Sequence, residues 1–243
     1  MKRRVLVRLV PAIAAVAAMV PAAIAASNSQ PQGAPLLPDL EQEAPSGLII
    51  TGHRPSHAQK TMTADQTIVR SSGPRSVVRG AGRLRYVRSP DHQHWHLLHF
   101  ERYELRRPGA QRPAVRDRKT GFCLGDRYTV PTPPVLPARA SEKVYATNCG
   151  LERPGLLGVL EGISVGWGDD YAANLEGQYL PLDGLRRGRY LLVHRVNAGH
   201  RLLESSYANN TASALLRLRW RRGVPRITIL AVCPDSERCA AGR

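Results

Sequence analysis

The chain has 243 residues, a formal net charge of +16 at pH 7 and 42% hydrophobic residues. This length allows one domain with a sizeable core. The basic residues are scattered and few aromatic residues lie among them, so the pattern of a nucleic-acid-binding protein is absent. A strongly basic chain instead favours polyanions as partners, such as acidic cell-surface polymers.

The N-terminus has the three parts of a secretory signal peptide. Residues 1–4 are basic at three of four positions, and residues 5–26 form an apolar run interrupted by Arg8, Pro11 and Pro21. Ala23-Ile24-Ala25 is a cleavage site of small residues. We therefore predict that residues 1–25 are removed and that the protein is secreted or kept in the cell envelope. Loss of the four cations in this segment lowers the net charge from +16 to +12. The alternative is an uncleaved membrane anchor, and no later stretch is apolar and long enough to span a bilayer.

The remainder divides into a linker or N-terminal arm at residues 26–45, rich in Ser, Gln, Pro and Ala, and a domain at residues 46–243. Short alternating or apolar stretches separated by Gly and Pro characterise this domain and predict strands. The fold class is therefore all-β, a β-sandwich-like single domain with long loops. The predicted strands are 47–51, 67–70, 76–78, 84–87, 178–182, 188–196, 212–220 and 225–232.

Three alternating histidines form the most informative stretch, Asp91-His92-Gln93-His94-Trp95-His96. In a strand, residues i, i+2 and i+4 share a face, with roughly 6.5–7 Å between neighbours on that face. Imidazoles at this spacing can meet at one metal ion, and they suit zinc, copper, iron or nickel. Three protein ligands with an open fourth position are typical of catalytic sites. The alternative is a chance histidine-rich strand. Residues 100–105 are expected to continue this strand or to pair with it.

The four cysteines are an even number in a chain that we expect to be exported, so they predict two disulfides. Four cysteines allow three pairings. We favour the local pairing, which joins Cys123 to Cys149 and Cys233 to Cys239. A zinc site is not expected from these cysteines because no C-x-x-C spacing occurs.

Lysine is rare, since only four of the 35 basic residues are lysine and the rest are arginine. A retained lysine can act as an amine nucleophile, which arginine cannot. Each lysine is therefore a candidate for chemistry, with a solvated surface residue as the alternative. The four are Lys2, Lys60, Lys119 and Lys143.

Four segments together resemble the lysyl oxidase family, the copper-dependent protein-lysine 6-oxidases, in a short form similar to prokaryotic members. The likeness covers roughly residues 85–220. It is found in the histidine motif and the Phe100…Leu105 stretch after it, in Lys119-Thr120-Gly121-Phe122-Cys123-Leu124, in Gly162 to Tyr179, and in Gly188 to Asn210. The resemblance implies that His92, His94 and His96 bind copper. It also implies that Lys119 and Tyr171 are cross-linked into lysine tyrosylquinone.

The implied activity is that of a secreted copper amine oxidase. Such an enzyme oxidatively deaminates primary amines, above all peptidyl lysine, with dioxygen, and releases an aldehyde, hydrogen peroxide and ammonia. An aspartate whose pKa is raised by burial can serve as the base, and Asp169 and Asp170 precede Tyr171 directly. Two alternatives remain open: a non-catalytic secreted metal-binding β-sandwich module, and a zinc hydrolase in which the same histidines activate water.

Overall fold

A computed structural model of the chain describes residues 6–8, 35–36, 48–70, 74–90, 93–117, 121–129, 144–145, 148–170 and 179–240. These residues form sixteen strands and no helix, so the predicted all-β class is confirmed. Within the same ranges, therefore, no helix has the length and apolar character needed to cross a membrane.

The strands in chain order are β1 (Leu6–Arg8), β2 (Pro35–Leu36), β3 (Leu48–His53), β4 (Thr61–Arg70), β5 (Ser76–Tyr86), β6 (Trp95–Leu98), β7 (Glu101–Arg106), β8 (Val115–Arg116), β9 (Gly121–Phe122), β10 (Tyr128–Thr129), β11 (Gly158–Ile163), β12 (Trp167–Gly168), β13 (Tyr179–Pro181), β14 (Gly188–Val196), β15 (Thr211–Arg221) and β16 (Val224–Cys233).

Two larger sheets organise these strands. The first has the order β11–β3–β4–β5–β6–β9, and β2 pairs with β4. The second has the order β16–β15–β14–β7–β8. Strand β10 pairs with β12, and β1 pairs with β13. Strand β1 lies within the predicted signal peptide, so its pairing belongs to the chain before any cleavage.

The long C-terminal strands agree with their prediction from sequence. Strand β14 has the predicted bounds, and β15 and β16 each extend their predicted ranges by one residue at either end. The hairpin predicted from residues 67–70 and 76–78 is formed by β4 and β5. The stretch predicted at 84–87 is a strand up to Tyr86, and it is continuous with the stretch predicted at 76–78, because β5 runs without interruption from Ser76 to Tyr86.

The region after the histidines differs from its prediction. Strand β7 neither continues β6 nor pairs with it; instead it pairs with β14 and β8 in the second sheet. His99 lies between the two strands with a φ of 61°, a left-handed conformation that suits a sharp turn. This turn sends the chain from one sheet to the other, and Tyr103 on β7 packs against the hydrophobic clusters of both sheets.

Both predicted disulfides are present, joining Cys123 to Cys149 and Cys233 to Cys239. The first lies in the main hydrophobic cluster beside Trp95 and Leu97 of β6. It therefore connects the segment that follows β9 with the core under the histidine strand.

Close packing at the β6–β9 pair requires a glycine at position 121. A Cβ built there would lie 2.3 Å from the carbonyl oxygen of Leu97, which is backbone and cannot rotate away. We expect Gly121→Ala to lower the free energy of unfolding by about 1–3 kcal/mol, as other overpacked sites do. Urea unfolding measures this loss. Gly155→Ala is the matched control, because no atom lies within 4 Å of its Cβ among the described residues. An equal loss in both variants would contradict this reason.

Candidate metal centre

Two of the three predicted histidine ligands come together at the start of β6. The Nε2 atoms of His94 and His96 are 2.8 Å apart, and the two ring centroids are 4.7 Å apart. His96 is buried and His94 is half-buried. Strand β6 begins only at Trp95, so the extended stretch predicted from the sequence covers His96 but not His94.

This spacing fits a metal centre. Two nitrogens that each lie about 2.0 Å from a metal ion, at a right angle, are about 2.8 Å apart. The distance also fits a hydrogen bond between a protonated and an unprotonated nitrogen. Imidazole donors favour copper or zinc over calcium or magnesium. The described residues contain no cluster of three possible ligands, and His92, the third predicted ligand, lies outside them.

Trp95 fixes the position of the two histidines from the opposite side of the chain. Its indole is 1% exposed and meets Tyr86 edge-on, with 5.7 Å between the ring centroids. Its ring nitrogen donates to the Arg153 carbonyl at 3.2 Å. Since neighbouring side chains of an extended strand point to opposite faces, the side chain of His96 leaves β6 on the face opposite to that of Trp95.

We expect His96→Ala to weaken copper binding more than about 100-fold, because loss of an outer-shell partner alone costs about 10–100-fold. Metal content after dialysis and the visible absorption of the copper-loaded protein report this loss without any need for turnover. The matched control is His57→Ala, which removes an exposed histidine far from β6 in sequence. Retention of full metal content by His96→Ala would contradict the assignment.

The segment that carries Lys119 reaches the histidine strand through β9. Gly121, two residues after Lys119, pairs with Leu98, which is two residues after His96. The backbone N–H of Trp95 donates to the Cys149 carbonyl at 2.9 Å, and Cys149 is bonded to Cys123. Hydrogen bonds and a disulfide therefore both hold this segment beside β6.

The same segment also meets the one that leads to Tyr171. Strands β10 and β12 pair, and the N–H of Arg127 donates to the Gly168 carbonyl at 2.9 Å. The Asp126 carboxylate accepts backbone N–H groups from Val144, Tyr145 and Ser164 at 2.7–3.0 Å. It also accepts the Ser164 hydroxyl at 2.7 Å. Residues 121–129 and 161–170 are thus joined over most of their length.

Asp169 links these two segments directly. Its carboxylate accepts the Gly125 N–H at 3.0 Å and lies 3.5 Å from the Arg127 Nε. Its side chain is only 8% exposed, and this burial raises the pKa of Asp169 to about 7, although the Gly125 N–H and the Arg127 charge act in the opposite direction. The carboxyl can therefore hold or release a proton near neutral pH.

Glu161 is a second buried acid that sequence reasoning missed. It is 0% exposed and accepts the Leu124 N–H at 3.4 Å. Burial raises the pKa of Glu161 well above its usual value, and the nearby charge of Asp169 adds to this effect. Burial therefore stabilises the protonated form relative to that of a solvated glutamate. The available signal was a single acid in the otherwise apolar or glycine-containing strand β11, GVLEGI.

The remaining candidate residues differ in whether the structure describes them and in how buried they are. His92, Lys119 and Tyr171 lie outside the described residues, so their predicted roles stay predictions. Asp170 is exposed, in contrast to Asp169. Of the two aspartates predicted as a base, only Asp169 lies in a buried environment.

Comparison with known proteins gives consistent matches. The family model described as Lysyl oxidase matches residues 67–224, more than half of the chain. Protein-lysine 6-oxidase of Rattus norvegicus is 28% identical over 130 residues, 52% of this chain and 27% of that protein. The Sus scrofa protein of the same name is 27% identical over 130 residues, 52% of this chain and 44% of that protein. Lysyl oxidase homolog 1 of Homo sapiens is 26% identical over 123 residues, 49% of this chain and 18% of that protein. The chain thus spans less than half the length of these curated relatives.

Proposed function

Because the chain belongs to the lysyl oxidase family, we propose that it is an exported copper amine oxidase that converts primary amines, above all peptidyl lysine, to aldehydes. Dioxygen is consumed, and hydrogen peroxide and ammonia are released. Family membership supports amine oxidation in the broad sense. The metal, the cofactor, the lysyl substrate and export through the signal peptide at residues 1–25 belong to the proposal.

One observation carries this function: the segments that lead from Lys119 and into Tyr171 are held together beside the histidine strand. Gly125 and Asp169 join the two segments by a hydrogen bond of 3.0 Å, and the pairing of β10 with β12 continues the contact. A cofactor made by cross-linking a lysine to a tyrosine needs these segments to be neighbours. Gly121 places the first of them next to β6.

The residues divide into three roles. His92, His94 and His96 would hold copper, and Lys119 and Tyr171 would form lysine tyrosylquinone. When bound, these groups supply an electrophilic carbonyl for a primary amine and a route for electrons to dioxygen. The fit rests on the 2.8 Å spacing of the two described imidazole nitrogens and on the imidazole donor set.

Asp169 is the candidate for the group that accepts a proton from the carbon next to the substrate nitrogen. With a pKa of about 7, its carboxyl is present in both protonation states at neutral pH, which suits a general base. The Gly125 N–H and the Arg127 guanidinium orient the carboxylate from two sides.

The test begins with protein expressed with copper and then treated with phenylhydrazine. We expect a coloured adduct and, by mass spectrometry, a peptide in which Lys119 and Tyr171 are cross-linked. Lys119→Arg should abolish the adduct and the cross-linked peptide and should retain copper. Lys60→Arg is the matched control, since Lys60 is an exposed lysine before β4, and it should form the adduct as the unchanged protein does.

Two results would overturn the proposed function. Bound metal without an adduct, together with an unmodified Tyr171, would favour a metal-binding module. Hydrolysis by the zinc-loaded protein, without an adduct after copper loading, would favour a zinc hydrolase. Amine oxidation by Lys119→Arg would instead remove Lys119 from the cofactor.

A further inference from the structure

A row of arginines lies on the same sheet face as the candidate metal centre. His96 on β6 is directly opposite Arg85 on β5, and Arg85 is directly opposite Thr61 on β4. Directly opposed residues of antiparallel strands share a face. Arg83 precedes Arg85 by two residues and therefore points to the same side. Arg201 lies beside them and lines two cavities at this face. We call Arg83, Arg85 and Arg201 the arginine face.

Two adjoining cavities open at this face. The larger has a volume of about 400 Å³ and is lined by Thr61, Arg83, Arg85, Leu98, His99 and Arg201. The smaller has a volume of about 260 Å³, shares Leu98, His99 and Arg201 with the first, and adds Arg102. No carboxylate lines either cavity within the part of the chain that the structure describes.

Among the residues that the structure describes, the arginine face has no counter-charge of its own. Arg83, Arg85 and Arg201 are exposed, and none makes an ion pair with another described residue. Arg83 donates to the Thr61 hydroxyl at 2.7 Å. Arg195 on β14, by contrast, is paired with Glu104 on β7 and with Glu237, which follows β16. Clustered guanidinium groups without an internal partner favour an external anion, and carboxylates match their geometry.

We propose that the arginine face binds the carboxylates of an acidic protein segment, and that it thereby selects amines flanked by Asp or Glu. A lysyl ammonium that approaches this face alone meets charges of its own sign. Acidic neighbours in the partner turn this repulsion into attraction and position the segment. Selection of the substrate rests on the proposed function, whereas binding of an acidic segment does not.

Strand geometry sets the spacing of the acidic residues. Directly opposed side chains are about 5 Å apart and diagonal ones about 7–8 Å apart. Arg85 is directly opposite His96, and Arg83 is its diagonal neighbour. An extended peptide advances about 3.3 Å per residue. An acidic residue one to three positions from the target lysine would therefore reach this face while the amine lies near His96.

The binding test uses a peptide that cannot be oxidised, with glutamates on both sides of a central norleucine. Fluorescence anisotropy gives its Kd, and a matched glutamine peptide shows the contribution of charge. R83Q/R85Q should weaken binding of the glutamate peptide by about tenfold. R219Q/R226Q is the matched control, because Arg219 and Arg226 are an exposed cross-strand pair on the second sheet and carry the same charge. It should change the Kd less than about twofold.

Three results would overturn the proposal. Equal weakening in both double variants would show a general effect of net charge. Equal affinity for the glutamate and glutamine peptides would remove the role of carboxylates. Binding of polygalacturonate at the arginine face, without binding of the peptide, would identify an anionic polymer as the ligand instead.

A kinetic measurement separates this proposal from the proposed function. The ratio of kcat/KM for a glutamate-flanked lysine peptide to that for its glutamine-flanked counterpart should exceed one in the unchanged protein and should fall towards one in R83Q/R85Q. If the unchanged protein oxidises no amine but still binds the norleucine peptide at this face, the proposed function fails and the binding surface stands. If it oxidises a small primary amine but binds no acidic peptide, the binding surface alone fails.

Discussion

Asp169→Asn is expected to slow amine oxidation by about 10²–10⁴-fold, the usual contribution of a general base. The asparagine keeps the size of the side chain and can still accept the Gly125 N–H, but it cannot take up a proton from the substrate. Steady-state kcat/KM with a simple primary amine measures the loss. The phenylhydrazine adduct should still form, which separates proton transfer from formation of the cofactor.

The dependence of activity on pH gives this prediction a second readout. Burial raises the pKa of Asp169 to about 7, and only the ionised carboxylate can accept a proton. The kcat/KM of the unchanged protein should therefore rise as the pH rises through about 7. Asp169→Asn should lack this limb of the profile, since its side chain does not titrate.

As the pH rises, the free energy of unfolding should fall while kcat/KM rises. Because the pKa of Asp169 is higher in the folded protein than the ordinary value of 3.8, the folded chain holds a proton that the unfolded chain loses. The stability contributed by the protonated acid is complete below about pH 4 and is lost as the pH rises through about 7. Above neutral pH, Asp169→Asn should thus be more stable than the unchanged protein, by at most about 4 kcal/mol.

Asp170→Asn is the control for both measurements, because Asp170 is the exposed neighbour of Asp169. It should retain the pH profile, and its free energy of unfolding should stay within about 0.5 kcal/mol of the original value. If Asp169→Asn kept the rising limb, another group would be the base. If it were less stable at every pH, the charge of Asp169 would have a structural role.

The parts of the fold that were predicted correctly from the sequence depend on local patterns of residues. Strand β14 contains the apolar run Tyr190 to Val193 after Gly188, and its prediction needed no information about its partners. The same holds for the hairpin of β4 and β5 and for the pairing of nearby cysteines. The spacing of the histidines likewise predicted that His94 and His96 would meet.

Features that depend on pairing between distant segments could not be predicted from the sequence. The stretch at 100–105 has strand character, but its partners, β14 and β8, are set by the turn at His99 and by packing of Tyr103. Burial of Asp169 and Glu161 arises from contacts with residues 124–127, far away in the chain. The arginine face likewise requires the register of β4, β5 and β6, which aligns Arg85 with His96.

The second large effect is expected from the Cys123–Cys149 disulfide, which closes a loop with a sequence separation of 26. Replacement of both cysteines by alanine should lower the free energy of unfolding by about 3–4 kcal/mol, because a loop of this length restricts the unfolded chain strongly. Both cysteines are also 0% exposed, so the alanines leave unfilled space in the core. Urea unfolding measures the change.

The variant should also lose more cofactor than metal. His94 and His96 stay anchored through the buried Trp95, whereas the segment that begins at Gly121 loses its covalent link to Cys149 and is held to β6 by the two-residue pairing of β9. We therefore expect copper content per folded molecule to remain and the phenylhydrazine adduct to decrease. The comparison is made below the unfolding transition, so that the yield refers to folded protein.

Replacement of Cys233 and Cys239 provides the matched control. Their sequence separation is 6, so the expected loss is only about 2 kcal/mol. This disulfide lies at the C-terminal end of β16, away from the β6–β9 pair, and its loss should leave the adduct yield unchanged. Equal decreases of adduct in the two variants would show that general stability limits cofactor formation. A decrease confined to the first variant would instead show that the histidine strand and the Lys119 segment must be held together for the cofactor to form.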